Sequence, residues 1–258
     1  MHTFFLPTSG WCPPYQVTGQ EARHLATVLR IKPGETVRML DGAGREGLFT
    51  VVTVAKNSVL LEPETIVTHP KPNDRITLAL GYGKGLRRSW LLEKAVELEA
   101  GGIWFWQAER SQGKVPDDGK DTWLTHMAAG AKQSRNPWLP ELRTLPGGVK
   151  NLVEVRATFA QAYILWEGED KENLLTIERM RLPEKTLFVL GPEGGFSDRE
   201  LHTLTNGGFT PVSLGKRILR WETAALTCLG IAWWMRQQIG CVGGGGEPPD
   251  ALSATIPG

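Results

Sequence analysis

The chain has 258 residues, enough for one large domain or, more comfortably, a small domain joined to a larger one. Hydrophobic residues make up 41% and charged residues 22%, which excludes the disordered, fibrous and membrane-embedded classes and leaves an ordinary globular composition. The 29 Lys and Arg against 28 Asp and Glu exclude a strongly basic footprint, but a local basic cluster acts within a Debye length whatever the total charge.

The cysteines, Cys12, Cys228 and Cys241, are too few and too scattered for a disulfide framework, and no pair has C-x-x-C spacing. His2, His24, His69, His126 and His202 show no ligand spacing either, so no metal site is expected. The start, Met1-His2-Thr3-Phe4-Phe5-Leu6-Pro7, lacks the charged and apolar segments of a signal peptide, and no apolar run reaches the roughly 18–20 residues of a membrane span. A cytoplasmic protein without a membrane partner is the expectation.

In chain order, residues 20–30 carry apolar side chains at helical spacing and stop at Pro33-Gly34. Short runs of β-branched residues follow at 36–40, 48–54 and 58–61, with the turn Asp41-Gly42-Ala43-Gly44 between the first two, and predict a small β-barrel-like unit. The polar stretch 67–74, with Pro70 and Pro72, reads as a linker. Beyond it the period changes. Strands are predicted at 76–80, 103–106, 162–166, 187–190 and 211–214, and helices at 87–99, 121–134, 198–205 and 222–238, the alternation of an α/β domain with a largely parallel sheet. The Gly- and Pro-rich end, 241–258, reads as a disordered tail.

Three strand-loop-helix junctions carry chemical information. Gly81-Tyr82-Gly83-Lys84-Gly85-Leu86 sits where a dinucleotide fingerprint would sit, but glycine is missing at 86 and no phosphate-loop pattern replaces it, which removes a dinucleotide oxidoreductase. Lys84, Arg87 and Arg88 still form a basic cluster at a strand's carboxyl end, either a solvated face or a set of phosphate contacts. Leu190-Gly191-Pro192-Glu193-Gly194-Gly195-Phe196-Ser197 is a glycine-rich exit from a buried strand, and Ser197 with Glu200 has capping-box spacing. It is either a tight connection or a loop whose amides approach a ligand without Cβ obstruction. Leu214-Gly215-Lys216-Arg217-Ile218-Leu219-Arg220-Trp221-Glu222-Thr223-Ala224 is a second such junction. Two such loops from neighbouring strands would form one crevice.

Taken together, the last two segments resemble the cofactor-loop signatures of the 16S ribosomal RNA uridine-N3 methyltransferase family of the SPOUT superfamily. Weaker similarities run through Phe4-Phe5, His24-Leu25, Lys94-Ala95-Val96-Glu97-Leu98, Glu109-Arg110-Ser111 and Gln133-Ser134, so the resemblance covers about residues 1–238. The chain departs from the family pattern at Thr3, Glu99 and Arg135-Asn136.

The resemblance implies an α/β fold: a PUA-like β-barrel RNA-binding domain at 1–70, then a SPOUT α/β domain with a C-terminal deep trefoil knot at 75–240. It implies S-adenosylmethionine as cofactor, held by Leu190, Gly191, Pro192, Glu193, Gly194, Gly195, Leu214, Gly215, Ile218 and Leu219. Arg220 is implied to stabilise charge on the uracil, and Glu193 and Glu222 are the candidates for taking its proton. Arg30, Lys84, Arg87, Arg88, Arg110 and Arg135 are candidate RNA contacts. The partners implied are 16S rRNA, in the assembled small ribosomal subunit, and a second copy of the chain, with Ala225, Leu229, Ala232 and Trp233 on a helix face that serves either the dimer or the core. Two other readings stay open: a SPOUT enzyme acting on a 2′-hydroxyl or on tRNA, and a noncatalytic RNA-binding adaptor.

Overall fold

The computed structural model describes residues 1–83, 87–167, 173–180 and 184–243. The tail expected at 241–258 therefore lies, from 244 onward, outside the described residues, as does Lys84. Within them the chain divides into two units, 1–71 with 128–139, and 72–127 with 140–243.

The first unit is built on a sheet of five strands, β1 (Thr3–Phe5), β2 (Tyr15–Thr18), β3 (Thr36–Leu40), β4 (Arg45–Ala55) and β5 (Ser58–Thr68), in the order β1-β3-β4-β5-β2. Only the β1–β3 pair is parallel. Alternation along β3, β4 and β5 sends Val37, Met39, Phe49, Val51 and Val59 into a core shared with Phe4 and Leu25, none of them more than 2% exposed. The expected strand at 58–61 runs on to Thr68, through Pro63. That proline faces Phe49 at a register shift, where the ladder can spare its missing N–H.

The turn between β3 and β4 is fixed by buried Asp41. Its Oδ1 accepts the amides of Ala43 and Arg45 at 2.7 and 2.8 Å, and its Oδ2 accepts Arg45 Nε at 2.7 Å. The helix expected over 20–30 is α1 (Gly19–Arg23) followed by a π-helical stretch, His24–Val28, in which Leu29 N donates to the His24 carbonyl. The wider turn keeps Leu25 inside and leaves Val28 68% exposed, breaking the 3.6-residue stripe that the sequence suggests.

The second unit is a six-stranded sheet, parallel throughout: β6 (Ile76–Gly81), β7 (Gly102–Trp106), β8 (Glu141–Leu145), β9 (Gln161–Leu165), β10 (Thr186–Leu190) and β11 (Thr210–Val212), ordered β11-β9-β10-β6-β7-β8. Every residue of β6, β7 and β10 is buried, as unbroken apolar runs covered on both faces require.

On one face, α4 (Val149–Val155) and α6 (Asp198–Asn206) place Leu152 and Leu204 against Ala79, Ile164 and Val189. On the other, α2 (Arg88–Glu97) and α7 (Trp221–Gly243) pack together, and α7 lies on β6 and β10. Ala225, Leu229 and Ala232 of α7 are thereby core residues of this unit. Two further α-helices are α3 (Asp121–Ser134) and α5 (Ile177–Met180). Among the described residues no helix is long and apolar enough to cross a membrane.

The sheet order reverses between β6 and β10. From β6 the chain adds β7 and β8 outward on one side, then returns to build β10, β9 and β11 on the other. Loops at the carboxyl ends of strands splay apart at such a reversal and leave a crevice.

Candidate functional site

The segments that leave β9, β10 and β11, at 165–167, 190–196 and 212–222, line one cleft of about 850 Å³ together with Arg87 and Arg110. That volume lies in the range of roughly 300–1,000 Å³ typical of cofactor sites. The two glycine-rich loops that the sequence marks out are therefore neighbours across a cleft.

The 190–196 loop is held tightly. Gly195, at φ +70, donates its amide to the Pro192 carbonyl at 2.8 Å and closes a turn whose backbone side chains other than glycine adopt rarely. A Cβ on Gly191 would stand 3.1 Å from the Phe196 ring, so the loop folds back on itself with little room to spare. Trp106, the last residue of β7, braces it twice: its Nε1 donates to the Leu190 carbonyl at 3.0 Å, and its ring stacks on Phe196 with centroids 5.8 Å apart. The capping box read from the sequence is present, with Ser197 Oγ accepting the Glu200 amide and the Glu200 carboxylate accepting the Ser197 amide. In the second loop Ser213 Oγ accepts the Gly215 amide at 3.1 Å, a local bond that turns the chain at the end of β11.

Trp106→Phe keeps the ring packing and removes the donor to the Leu190 carbonyl, so the loop loses one of its two braces. The expected cost is about 0.5–1.5 kcal/mol of stability with weaker ligand binding in the cleft, measured by thermal unfolding and calorimetry.

Of the residues expected to hold a cofactor, Leu190, Gly191, Pro192, Glu193, Gly195, Leu214, Gly215, Ile218 and Leu219 line the cleft. Gly194 does not, but its carbonyl accepts Arg110 Nη1 at 3.1 Å. Arg220, Glu193 and Glu222 line it as well. Among the candidate RNA contacts Arg87 and Arg110 stand at the cleft, whereas the Arg88 guanidinium lies 4.5 Å from the Tyr82 ring centroid, near Phe105 and Trp123, and donates to the Gly83 carbonyl. Arg30 and Arg135 are exposed residues of the first unit.

Sequence reasoning missed Leu165, Trp166 and Glu167, and it quoted Arg217 and Trp221 in the second loop without giving either a role; all five line the cleft. The signal for the first three was the carboxyl end of β9, which becomes part of the site only once β9 is known to lie between β10 and β11.

The residues fit S-adenosylmethionine, the cofactor that the resemblance implies. Leu190, Leu214, Ile218 and Leu219 supply apolar walls, and Ile218, an apolar side chain on the cleft, is 82% exposed. Peptide groups of the two loops supply the donors and acceptors that an adenine edge needs. Trp221 Nε1, buried without a hydrogen-bond partner on a cleft-lining residue, is one further donor.

A parallel sheet that gathers three strand-end loops around a nucleoside-sized cleft, in a chain that also carries a small β unit, defines a nucleotide-type ligand-binding α/β protein. Residues 69–233 match the model of an RNA methyltransferase domain, and residues 17–64 match that of an RNA methyltransferase PUA domain. A ribosomal RNA small subunit methyltransferase E of Mycobacterium bovis is 32% identical over 221 residues, 83% of this chain and 84% of that protein. Two solved structures are similar. A Legionella pneumophila methyltransferase in complex with SAM is 28% identical, with a TM-score of 0.76, over 89% of this chain and 96% of that one. A Neisseria gonorrhoeae ribosomal RNA small subunit methyltransferase E bound to S-adenosyl methionine is 27% identical, with a TM-score of 0.71, over 90% of this chain and 96% of that one. The chain belongs to the RNA methyltransferase family, in the branch of the ribosomal RNA small subunit methyltransferases E.

Proposed function

We propose that the chain transfers a methyl group from S-adenosylmethionine to N3 of a uridine in 16S rRNA of the small ribosomal subunit. The observation that carries this is the convergence of both glycine-rich loops and Arg220 on one cleft. Leu190 to Gly195 and Leu214, Gly215, Ile218 and Leu219 hold the cofactor, which supplies an electrophilic methyl group on a sulfonium. Neutral uracil is a poor nucleophile at N3, and as its proton leaves, negative charge spreads onto the carbonyl oxygens. Arg220 faces that charge; among the described residues no ion pair engages it. Glu193 and Glu222 are the proton acceptors under this proposal, and the cleft adds Glu167 as a third carboxylate.

A domain at 1–70 of PUA-like form serves RNA binding, and 75–240 carries the transfer. The C-terminal part of the second domain is proposed to thread as a deep trefoil knot, supported by the strand order that returns to place β10 between β6 and β9. The working form is a cytoplasmic homodimer acting on the assembled subunit. With Ala225, Leu229 and Ala232 committed to the core, an outward apolar residue of α7 is Trp234, 57% exposed, and it supports a contact with the second copy.

RNA is held by Arg30, Lys84, Arg87, Arg110 and Arg135, with the target base turned out of its stack, while Arg88 braces the aromatic side chains beside the cleft. Binding of 16S rRNA is then expected to weaken steeply with salt, each phosphate contact adding about 0.7–0.9 to the slope of log affinity against log salt. A filter-binding titration checks this, and a flat response removes the arginine contacts. The function itself is tested by incubating subunits from a strain lacking the modification with the chain and labelled cofactor, then digesting the RNA to nucleosides. 3-Methyluridine is the expected product, and a 2′-O-methylated nucleoside, or label in tRNA alone, overturns the proposal. Calorimetry with S-adenosylmethionine adds a direct check, because an RNA-binding adaptor gives no heat.

A further inference from the structure

Glu200 does more than cap α6. Only 2% exposed, its carboxylate places Oε2 on the Ser197 amide at 2.8 Å, as a capping box requires, and Oε1 on the amide of Glu109 at 2.8 Å. Glu109 belongs to the loop that leaves β7, an element far from α6 in sequence. That loop is a compact turn: Ser111 Oγ accepts the Ala108 amide at 3.0 Å and the Ser111 amide donates to the Ala108 carbonyl at 3.1 Å. The next residue after Glu109 is Arg110. Its Nη1 donates to the Gly194 carbonyl, and a Cβ placed on Gly194 would stand 3.1 Å from Arg110 Cβ, so turn and cofactor loop are in close contact.

A buried carboxylate is costly unless its oxygens are paired, and both oxygens of Glu200 are paired to backbone amides from two different loops. A helix cap alone uses one of them. The second ties the backbone of residue 109 to the start of α6, and with it the point from which Arg110 projects to the cleft. We propose that Glu200 is a positioning residue: it couples the 108–111 turn to the 191–197 loop and so sets Arg110 for its contact with RNA. The inference rests on the RNA binding proposed above, but it can fail while that holds.

Glu200→Gln leaves one oxygen for two amides and turns an NH2 group against the other. The affinity of the full-length protein for 16S rRNA is measured across a salt series for the unaltered chain, Glu200→Gln, Arg110→Ala and the double variant, with calorimetry of S-adenosylmethionine and thermal unfolding alongside. Arg110→Ala is expected to reduce the salt slope by about one contact, roughly 0.7–0.9. Glu200→Gln is expected to reduce it equally, and the double variant no further, with cofactor affinity retained. Additive losses in the double variant, or an unchanged slope in Glu200→Gln, overturn the inference. Glu109→Pro removes the donor from the other side while leaving the capping box in place; if Glu200→Gln does not fold, this variant is read by the same criteria. A protein whose own RNA affinity ignores salt fails the proposed function instead, and that outcome also removes the contact between Arg110 and RNA.

Discussion

Arg220→Ala is expected to lower methyl transfer by about 10²–10³-fold while S-adenosylmethionine still binds. Loss of one preorganised donor aimed at developing charge costs about that much, because the donor's contribution rises in the transition state and is small in the ground state. Arg220 is exposed in the loop that runs from β11 to α7, on the wall of the cleft, while the apolar surfaces come from Leu190, Leu214, Ile218 and Leu219. Removing the guanidinium therefore leaves those apolar surfaces in place. Arg220→Lys separates charge from shape: it keeps the cation, loses the planar fork, and is expected to fall between the two. Single-turnover rates with saturating cofactor are the measurement. A rate unchanged in Arg220→Ala removes this residue from the chemistry.

The sequence revealed the buried strands best, because an unbroken apolar run such as Leu187-Phe188-Val189-Leu190 has few places to go except the middle of a covered sheet. It revealed the edges worst. β8, Glu141–Leu145, alternates exposed and half-buried residues with few β-branched side chains, and nothing local distinguishes it from a loop; its pairing with β7 makes it a strand. The three-residue β1 is likewise defined by its partner β3. In the first unit, the run of β-branched residues at 58–61 gives no sign that β5 continues through Pro63, which it does at the register shift opposite Phe49.

The site divides in the same way. Loops 190–196 and 212–222 announce themselves by matching the two cofactor-loop signatures, whereas Trp166 and Glu167 precede a lone Gly168 in a stretch that matches neither. They reach the cleft because β9 is inserted between β10 and β11, a long-range fact of topology. Arg88 shows the reverse: it looks like a phosphate contact beside Arg87, yet its guanidinium sits over the Tyr82 ring, a neighbour the sequence does not disclose.

Gly81→Ala is expected to disturb the cleft strongly although it adds a single methyl group. Gly81 ends β6 opposite Trp106, and a Cβ there would lie 2.3 Å from the Pro192 nitrogen, 2.6 Å from Pro192 Cδ and 2.7 Å from the Gly191 carbonyl carbon. All three atoms are backbone or ring, so no side chain can rotate away, and the 191–195 loop must move. Overpacking of this kind costs about 1–3 kcal/mol, sometimes more. At roughly 2–4 °C per kcal/mol for a unit of this size, the melting temperature is expected to drop by several degrees. The same displacement pulls Leu190 and Gly191 from their places against the cleft, so affinity for S-adenosylmethionine is expected to fall about tenfold or more, at about 1.4 kcal/mol per factor of ten. Gly230→Ala, in α7 of the same unit, supplies the comparison, because a Cβ there meets nothing within 4 Å. The glycine at the end of β6 thus has a cause different from the dinucleotide fingerprint it mimics: it clears the path of a second loop over the strand. Calorimetry and thermal unfolding of Gly81→Ala decide the matter, and a variant that binds and melts like the unaltered protein would mean that Pro192 does not cross β6 where it is seen to cross.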